Sequence, residues 1–544
     1  MSLPASRFEE VPEETARIAR RAFRKASLYM RMRDALGQLY ADDDFADLFP
    51  TRGQPAESPW RLALVSVMQF SENLSDRQAA EAVRARIDWK YALCLELDDA
   101  GFDYSVLSEF RSRLVHEGAE RLLFERMLSH FQAAGLVKAG GRQRTDATHV
   151  LAAIHPLNRI ELVGRTLQAV LEEVAREAPS WLKAQVTPDW FERYSRQIEA
   201  SRLPKAKAEQ RALAEQIGRD GAHLLARLEA EARLATVAQA AIVATLRQVW
   251  QQEYELTTDG LRWREQADLS SSSERIVSPF ETEARCGVKR ETVWLGYKVH
   301  LTESCDEALP HLITQVETTV ATTSDYEALT PIQADLAQRR LLPSEQLVDK
   351  GYASAEALAH SQREHGINLL CPVQTDPQWQ ARSADGLSLS DFRIDWEQQQ
   401  VRCPQGHVSR HWTLTDQAHK PLIRVQFRRQ DCQPCPVRDH CTHGDFRQLG
   451  FAPQPLFFVL QQARQRQQTP EFWQRYAIRA GIEGTISQAV NSFGARRSRY
   501  LGQAKTHLHN LLTATALNLQ RVLAWLDGAS RARTRSSHFA ALAS

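Results

Sequence analysis

Three carboxylates carry the chemistry this sequence offers most directly. Asp146 falls in Arg142 to Ile154, a stretch that reads as a strand; Asp349 closes a short strand that starts at Gln346; Glu483 lies in a later helix. Carboxylates drawn together from such distant positions repel one another, so the arrangement is stable mainly when divalent cations neutralise it. Mg²⁺ prefers oxygen ligands, and two such ions about 3.5–4 Å apart clamp the attacking and leaving oxygens of an in-line phosphoryl displacement. Each acid also has a plainer role. Asp146 reads equally as a strand-end residue bonding its own loop, Asp349 as a turn former before Gly351, and Glu483 as a solvated helical carboxylate. With 67 acidic residues in the chain, spacing alone selects no trio.

Tyr476, Arg479 and Glu483 stand at i, i+3 and i+7, which is one face of a helix. That face can present a metal-binding carboxylate, a guanidinium for a phosphate oxygen and a ring that stacks on a base. The same spacing gives Arg479 and Glu483 an ordinary i, i+4 ion pair. Periodicity does not choose between the two.

A second constellation is made of sulfur. Cys432-x₂-Cys435-x₅-Cys441, with Cys403 upstream in CPQGH, offers four thiolates for a tetrahedral Zn²⁺, with His407, His440 and His443 as substitutes. A closed site of this kind is structural and adds folding free energy to a segment poor in apolar residues. Reduced thiols in a loop-rich segment are the alternative; redox chemistry at Cys432 and Cys435 lacks the surrounding βαβ pattern. Cys94, Cys286, Cys305 and Cys371 are isolated and read as core or surface residues. Lys298 and His300 read as an active edge or, equally, a solvated strand face, and Asp325 as an N-cap. No phosphate-binding loop of the Walker type occurs, so nucleotide hydrolysis is not supported.

The elements that must position these groups are also marked. Residues 1 to about 130 read as helical: Ser58-Pro59 opens a helix through Phe70, and Ser75 with Gln78 forms a capping-box pattern opening another through Arg86. So short a turn, with Arg77, Arg84 and Arg86 on the second helix, fits a helix-turn-helix entering a major groove, or a plain αα-hairpin with solvated arginines. Leu162 to about Trp250 carries helical spacing broken by Pro179, Pro188 and Pro204. Val293, Leu295, Tyr297, Val299 and Leu301 alternate with polar residues, the pattern of a half-buried strand, with His311 to Thr318 as its antiparallel neighbour and Asp325 to Arg339 as a helix. Residues 385–460 are irregular or β-like, and the chain is helical again from Pro470.

Composition bounds the class. The 544 residues are 43% hydrophobic and 25% charged, enough for several folded units and incompatible with wholesale disorder. No apolar run approaches the ~20 residues of a membrane span. The opening MSLPASRFEEVPEE lacks a basic leader and an apolar h-region, so a reducing, cytoplasmic compartment without a disulfide framework is expected. Net charge is +1, yet residues 481–544 hold eight Lys or Arg against Glu483 and Asp527, the footprint of a polyanion partner or of a solvated tail.

Phe102 to Arg113 (FDYSVLSEFRSR), Thr145-Asp146-Ala147-Thr148, Leu295 to Leu301 (LGYKVHL), Asp349-Lys350-Gly351-Tyr352 and Tyr476 to Glu483 (YAIRAGIE), followed by FGARRSRYLGQAK, together resemble an insertion-sequence transposase of the DDE type. The resemblance implies a mixed α/β or α+β chain with an RNase H-like core. It implies Asp146, Asp349 and Glu483 as catalytic ligands of two Mg²⁺ (or Mn²⁺) ions, and a Tyr-x₂-Arg-x₃-Glu-x₆-Lys signature. Tyr476, Arg479 and Glu483 match; the lysine position holds Val490, which moves the phosphate-binding duty to Arg496, Arg497 or Lys505, with Arg499 beside them.

The expected organisation is an N-terminal helical DNA-binding domain (1–135), a core in 140–160 and 285–375, and a helical insertion (161–260). A cysteine-rich insertion with optional zinc (385–460), the C-terminal helices of the core (470–528) and a basic flexible tail (529–544) complete it. Expected partners are DNA, as terminal inverted repeats and target, and further copies of the chain in a dimer or larger assembly at the nucleoid, with no membrane. Two rivals use the same residues: a metal-dependent nuclease that cuts without joining, and a catalytically silent DNA-binding protein.

Overall fold

A run of β-branched and alternating residues makes Arg142–Leu151 a strand, β1, and the rest of the main sheet assembles on it. The other strands are β2 (Arg285–Lys289), β3 (Thr292–Ser304), β4 (Ile313–Val320), β5 (Glu345–Val348) and β6 (Asn368–Leu370). β3 lies antiparallel to β1 on one side; β5 and then β6 lie parallel to it on the other. β2 and β4 share the outer edge of β3, β2 along its first residues and β4 along the rest. The result is a mixed α/β sheet, as the family resemblance implies. The computed structural model describes residues 2–3, 9–50, 52–155, 157–258, 260–289, 291–417, 420–529 and 542; the expected basic tail lies outside these apart from its first residue and Leu542.

β3 departs from expectation. It is buried on both faces from Trp294 onward, not half-buried, and Val293 is exposed. The reason is cover on both sides, with α3 (Asp325–Gln338) over the face that carries His300 and α6 (Gln503–Leu526) over the face that carries Val299. Lys298 and His300 therefore meet protein instead of water. Lys298 Nζ pairs with Asp325 at 3.1 Å, and His300 Nδ1 lies 2.7 Å from the Tyr352 hydroxyl. Asp325 is the first residue of α3, and its N-cap is Ser324, which forms a capping box with Glu327.

In the N-terminal region, α1 (Pro59–Ser71) is buried nearly all round and packs on α6, so these helices and the sheet share one apolar core. Its cap is Asp42: one carboxylate oxygen accepts both the Ser58 hydroxyl (2.8 Å) and the Trp60 N–H (3.1 Å). α2 (Asp76–Ala85) carries the expected capping box of Ser75 and Gln78 and stops one residue before Arg86. Helices Arg159–Glu177, Lys207–Ala230 and Ala241–Glu253 form a second core around Leu167, Ile217, Leu224 and Val249. The cysteine-rich segment has its own small core, seven buried residues that include Val401, Phe427 and Phe451.

The Tyr476-to-Glu483 stretch is not one helix. α4 (Pro470–Tyr476) ends at the tyrosine, residues 477–480 form a tight 3₁₀ turn, and α5 (Gly481–Phe493) begins before Glu483. The Arg144 guanidinium occupies the space beside Gly481, where a Cβ would sit 1.9 Å from Nη1, and donates to the Ile478 carbonyl at 2.7 Å. That carbonyl also accepts from the Gly481 N–H at the end of the turn. Among the described residues no helix is long and apolar enough to cross a membrane.

Candidate active site

Register brings the first two acids together. Thr145 of β1 pairs with Val348 of β5 in parallel, so the next residue on each chain, Asp146 and Asp349, come side by side where β5 ends. Asp146 is buried, and its Oδ1 accepts the N–H of Ala147 at 2.8 Å. Asp349 caps the single turn after β5, accepting from Gly351 N at 2.7 Å. Burial raises the Asp146 carboxyl above the ordinary carboxylate range; Arg479 opposes the shift and Asp349 adds to it.

Glu483 enters on α5, and Arg479, in the turn before it, links it to the sheet. Arg479 Nη2 donates to Asp146 Oδ2 at 2.6 Å and Nη1 to Glu483 Oε1 at 3.3 Å. The i, i+4 ion pair is thus formed, and the same guanidinium reaches β1. The two carboxylates it joins differ in setting, the side chain of Asp146 being 12% exposed and that of Glu483 67%. Tyr476 stacks on Phe472 and meets the edge of Trp473, and burial pushes its phenol up to about 12.

Among the described residues, no group of three or more His, Cys, Asp or Glu side chains is set to hold a metal ion. At the three acids the donor set is carboxylate oxygen throughout, which suits a hard divalent cation. A positive group, the Arg479 guanidinium, already stands between Asp146 and Glu483.

The basic residues separate into two kinds. Arg496 lies along β1, donating to Thr148 Oγ1 at 3.0 Å and His149 O at 2.7 Å, on the sheet face of Asp146. Arg497 and Lys505 are exposed nearby, whereas Val490 is half-buried. Lys289 at the end of β2, unremarked in the sequence reading, is close enough for its charge to act on Asp146 and His149. Arg77, over the Tyr104 ring, and Arg84, paired with Glu81, are exposed on α2. Arg86 and Arg499 are partly exposed and engaged with neighbouring groups of the chain. Arg86 pairs with Glu72 and Asp88 over the Trp89 ring, and Arg499 bonds Asn73 and the Leu74 carbonyl over Phe70.

Beneath the acids is a network that sequence reasoning missed. Glu303 of β3, fully buried, accepts from Arg144 Nε at 2.7 Å, from Arg521 Nη1 at 2.7 Å and from Thr485 Oγ1 at 2.5 Å. Burial works against its charge, but Arg521 and Arg144 hold its carboxyl below the ordinary range. β1, β3, α5 and α6 are tied at this one carboxylate. The alternation of β1, which sets Arg144 on the same face as Asp146, was the available signal.

Cys403, Cys432, Cys435 and Cys441 line one cavity of about 30 Å³ with His407. His440 and His443 do not line it; His443 stacks on Trp379 at 4.2 Å. All four thiols are free, and burial raises Cys441 to about 11.

Two family models match the chain. One, described as a Transposase DDE domain, matches residues 402–523, which hold the cysteines, Tyr476, Arg479 and Glu483. The other, described as Transposase domain (DUF772), matches residues 19–113, the N-terminal helices. Neither reaches β1 or β5, where Asp146 and Asp349 lie. No curated protein and no solved structure matches.

Proposed function

Since the chain belongs to the DDE transposases of insertion sequences, we propose that it cuts the ends of a DNA element by phosphodiester hydrolysis and joins the freed 3′-OH ends to target DNA. The observation that carries this reading is the register that sets Asp146, within β1, beside Asp349 at the end of β5, with Glu483 joined to Asp146 through Arg479. In the first step water attacks the scissile phosphorus and the 3′-oxygen leaves; in the second, that 3′-hydroxyl attacks a target phosphate and a target 3′-oxygen leaves. Asp146, Asp349 and Glu483 would hold two Mg²⁺ or Mn²⁺ ions, whose chemistry is to polarise the phosphate and lower the pKa of bound water.

The chain's own groups do the rest. Backbone N–H groups of Ala147 and Gly351 orient the two aspartates. Arg496, Arg497, Lys505 and Lys289 offer cations to the phosphate backbone, with Tyr476 as a ring beside it, and Arg77 and Arg84 extend the basic surface along α2. Two ends held at once call for a dimer or larger assembly.

Incubating the full chain with a precleaved 3′-OH end and a target plasmid separates this function from its rivals. Joined products are expected in Mg²⁺; cutting without joining identifies a nuclease, and binding without either a silent DNA-binding protein. We further propose a structural Zn²⁺ at Cys403, Cys432, Cys435 and Cys441, supported by their shared cavity and the exclusion of His440 and His443 from it. Untagged protein should carry about one equivalent of zinc, and less than about half an equivalent would remove this site.

A further inference from the structure

Arg479 is held in an unusual way for a residue expected to grip DNA. Its side chain is 14% exposed, its two terminal nitrogens are spent on Asp146 and Glu483, and its Nε has no hydrogen-bond partner. Asp349 and Tyr476 also act on its charge. Two carboxylates of the candidate metal site are therefore already bridged, and half their charge offset, by a cation that belongs to the chain. Converging carboxylates without a counter-ion would spread apart, so a guanidinium here solves the electrostatic problem a metal ion would solve.

We propose that Arg479 is a built-in place-holder for the divalent ion: it keeps Asp146 and Glu483 together in the DNA-free protein, and it must leave them before they can bind metal. This rests on the three-acid reading of the active site and adds a competition within it. One guanidinium cannot fork onto two carboxylates while a divalent cation takes the same oxygens. A DNA phosphate is the ligand suited to draw the guanidinium away, because it offers the same planar fork an equivalent pair of oxygens. Glu483, the more exposed acid, is the one free to turn. DNA binding and metal loading then favour each other, because each removes a cost from the other.

The test is Mn²⁺ titration of the full, DNA-free chain, with free Mn²⁺ followed by its electron paramagnetic resonance signal. Arg479→Gln is expected to tighten Mn²⁺ binding on the order of tenfold, although it adds no ligand. Arg479→Lys, which keeps one charge without the fork, should shift binding the same way by less, and it carries the test if the glutamine variant fails to fold. A short duplex, with duplex alone as the blank, should tighten binding to the unmodified chain and leave the Arg479→Gln value nearly unchanged. Unchanged or weaker Mn²⁺ binding in both arginine variants overturns the place-holder. Asp349→Asn keeps the two failures distinct: if it abolishes Mn²⁺ binding while the arginine variants do nothing, the acids are the site and Arg479 is no competitor. If Mn²⁺ binding ignores Asp349→Asn, the three-acid reading itself is wrong.

Discussion

Two arginine–carboxylate clusters sit on one face of β1, two residues apart, and they are built for opposite ends. Arg144 meets Glu303 in a closed network whose acid is wholly buried and bonded from three sides. Arg479 meets Asp146 and Glu483 in an open one, where one acid is two-thirds exposed and the arginine keeps an unmatched Nε. A buried ion pair is not in itself a large source of stability, but removing one partner from it is costly. The closed cluster thus fixes where α5 starts, and the open cluster, one turn away on the same elements, is left with charge to exchange. On the proposed function, positioning and reactivity are divided between two sites of similar composition.

The largest effect should come from the open cluster and should be confined to activity. Asp349→Asn removes a proposed ligand without a change of volume, so several kcal/mol of transition-state stabilisation disappear, roughly a thousandfold in Mg²⁺-dependent cleavage. The unfolding midpoint should scarcely move. Cleavage that survives Asp349→Asn would break the assignment of roles between the clusters.

Glu303→Gln should do the reverse. It leaves Arg144 and Arg521 facing a neutral amide in a dry site, with an expected loss of about 3–5 kcal/mol in denaturant unfolding. A loss under about 1 kcal/mol would mean the network is solvated, as a surface pair is.

Acid sharpens the comparison further. His300 is buried and neutral, its pKa pushed down to about 4, and His507 and His509 are pushed to about 3, in each case by burial first. The unfolded chain takes up protons at these positions near pH 6.5 and the native one does not, so stability falls as pH drops from there toward 4. His300 alone accounts for roughly 3 kcal/mol by pH 4. Glu303 has the opposite timing: its pKa is depressed, so its contribution is intact above the ordinary glutamate range and is lost only as pH falls through the folded value. Denaturant unfolding between pH 7 and 5 should therefore show a loss that Glu303→Gln does not alter. A flat profile over that range would contradict the neutral histidines.

Local signals in the sequence were read well where local physics decides. The capping box at Ser75, the short strand ending at Asp349, and the antiparallel partner of β3 follow from short-range propensity and alternation, whereas the cap of α3 falls on Ser324, one residue before the expected Asp325. What was illegible needed partners far away in sequence. The two-sided burial of β3 depends on α3 and α6; Asp42 caps α1 across a loop; the break between Tyr476 and Glu483 depends on an arginine more than 300 residues upstream. The three acids were legible as a set only through the family resemblance, because nothing local distinguishes Asp146, in the middle of β1, from the other carboxylates of the chain. The ion pair of Arg479 with Glu483 was legible from the i, i+4 spacing, and its reach to Asp146 was not, because that contact exists only once β1 is placed against the turn.

The smallest effects compare two glycines three residues apart in α5, one against each environment. At Gly481 a new Cβ would strike the Arg144 guanidinium at 1.9 Å, and that group is held by Glu303 and Ile478 and cannot swing away freely. Gly481→Ala should cost about 1–3 kcal/mol, the usual range for overpacking. Cleavage should fall as well, since Arg479 and Glu483 flank the displaced backbone. At Gly484 nothing lies within 4 Å of a Cβ and the backbone is helical. Gly484→Ala should instead stabilise the helix by about 0.5–1 kcal/mol, because alanine loses less chain entropy than glycine on folding. Two identical substitutions of opposite sign in urea melts would locate the rigid boundary between the clusters at the first turn of α5. Equal signs would mean that Arg144 yields, and that the closed network does not position Glu483.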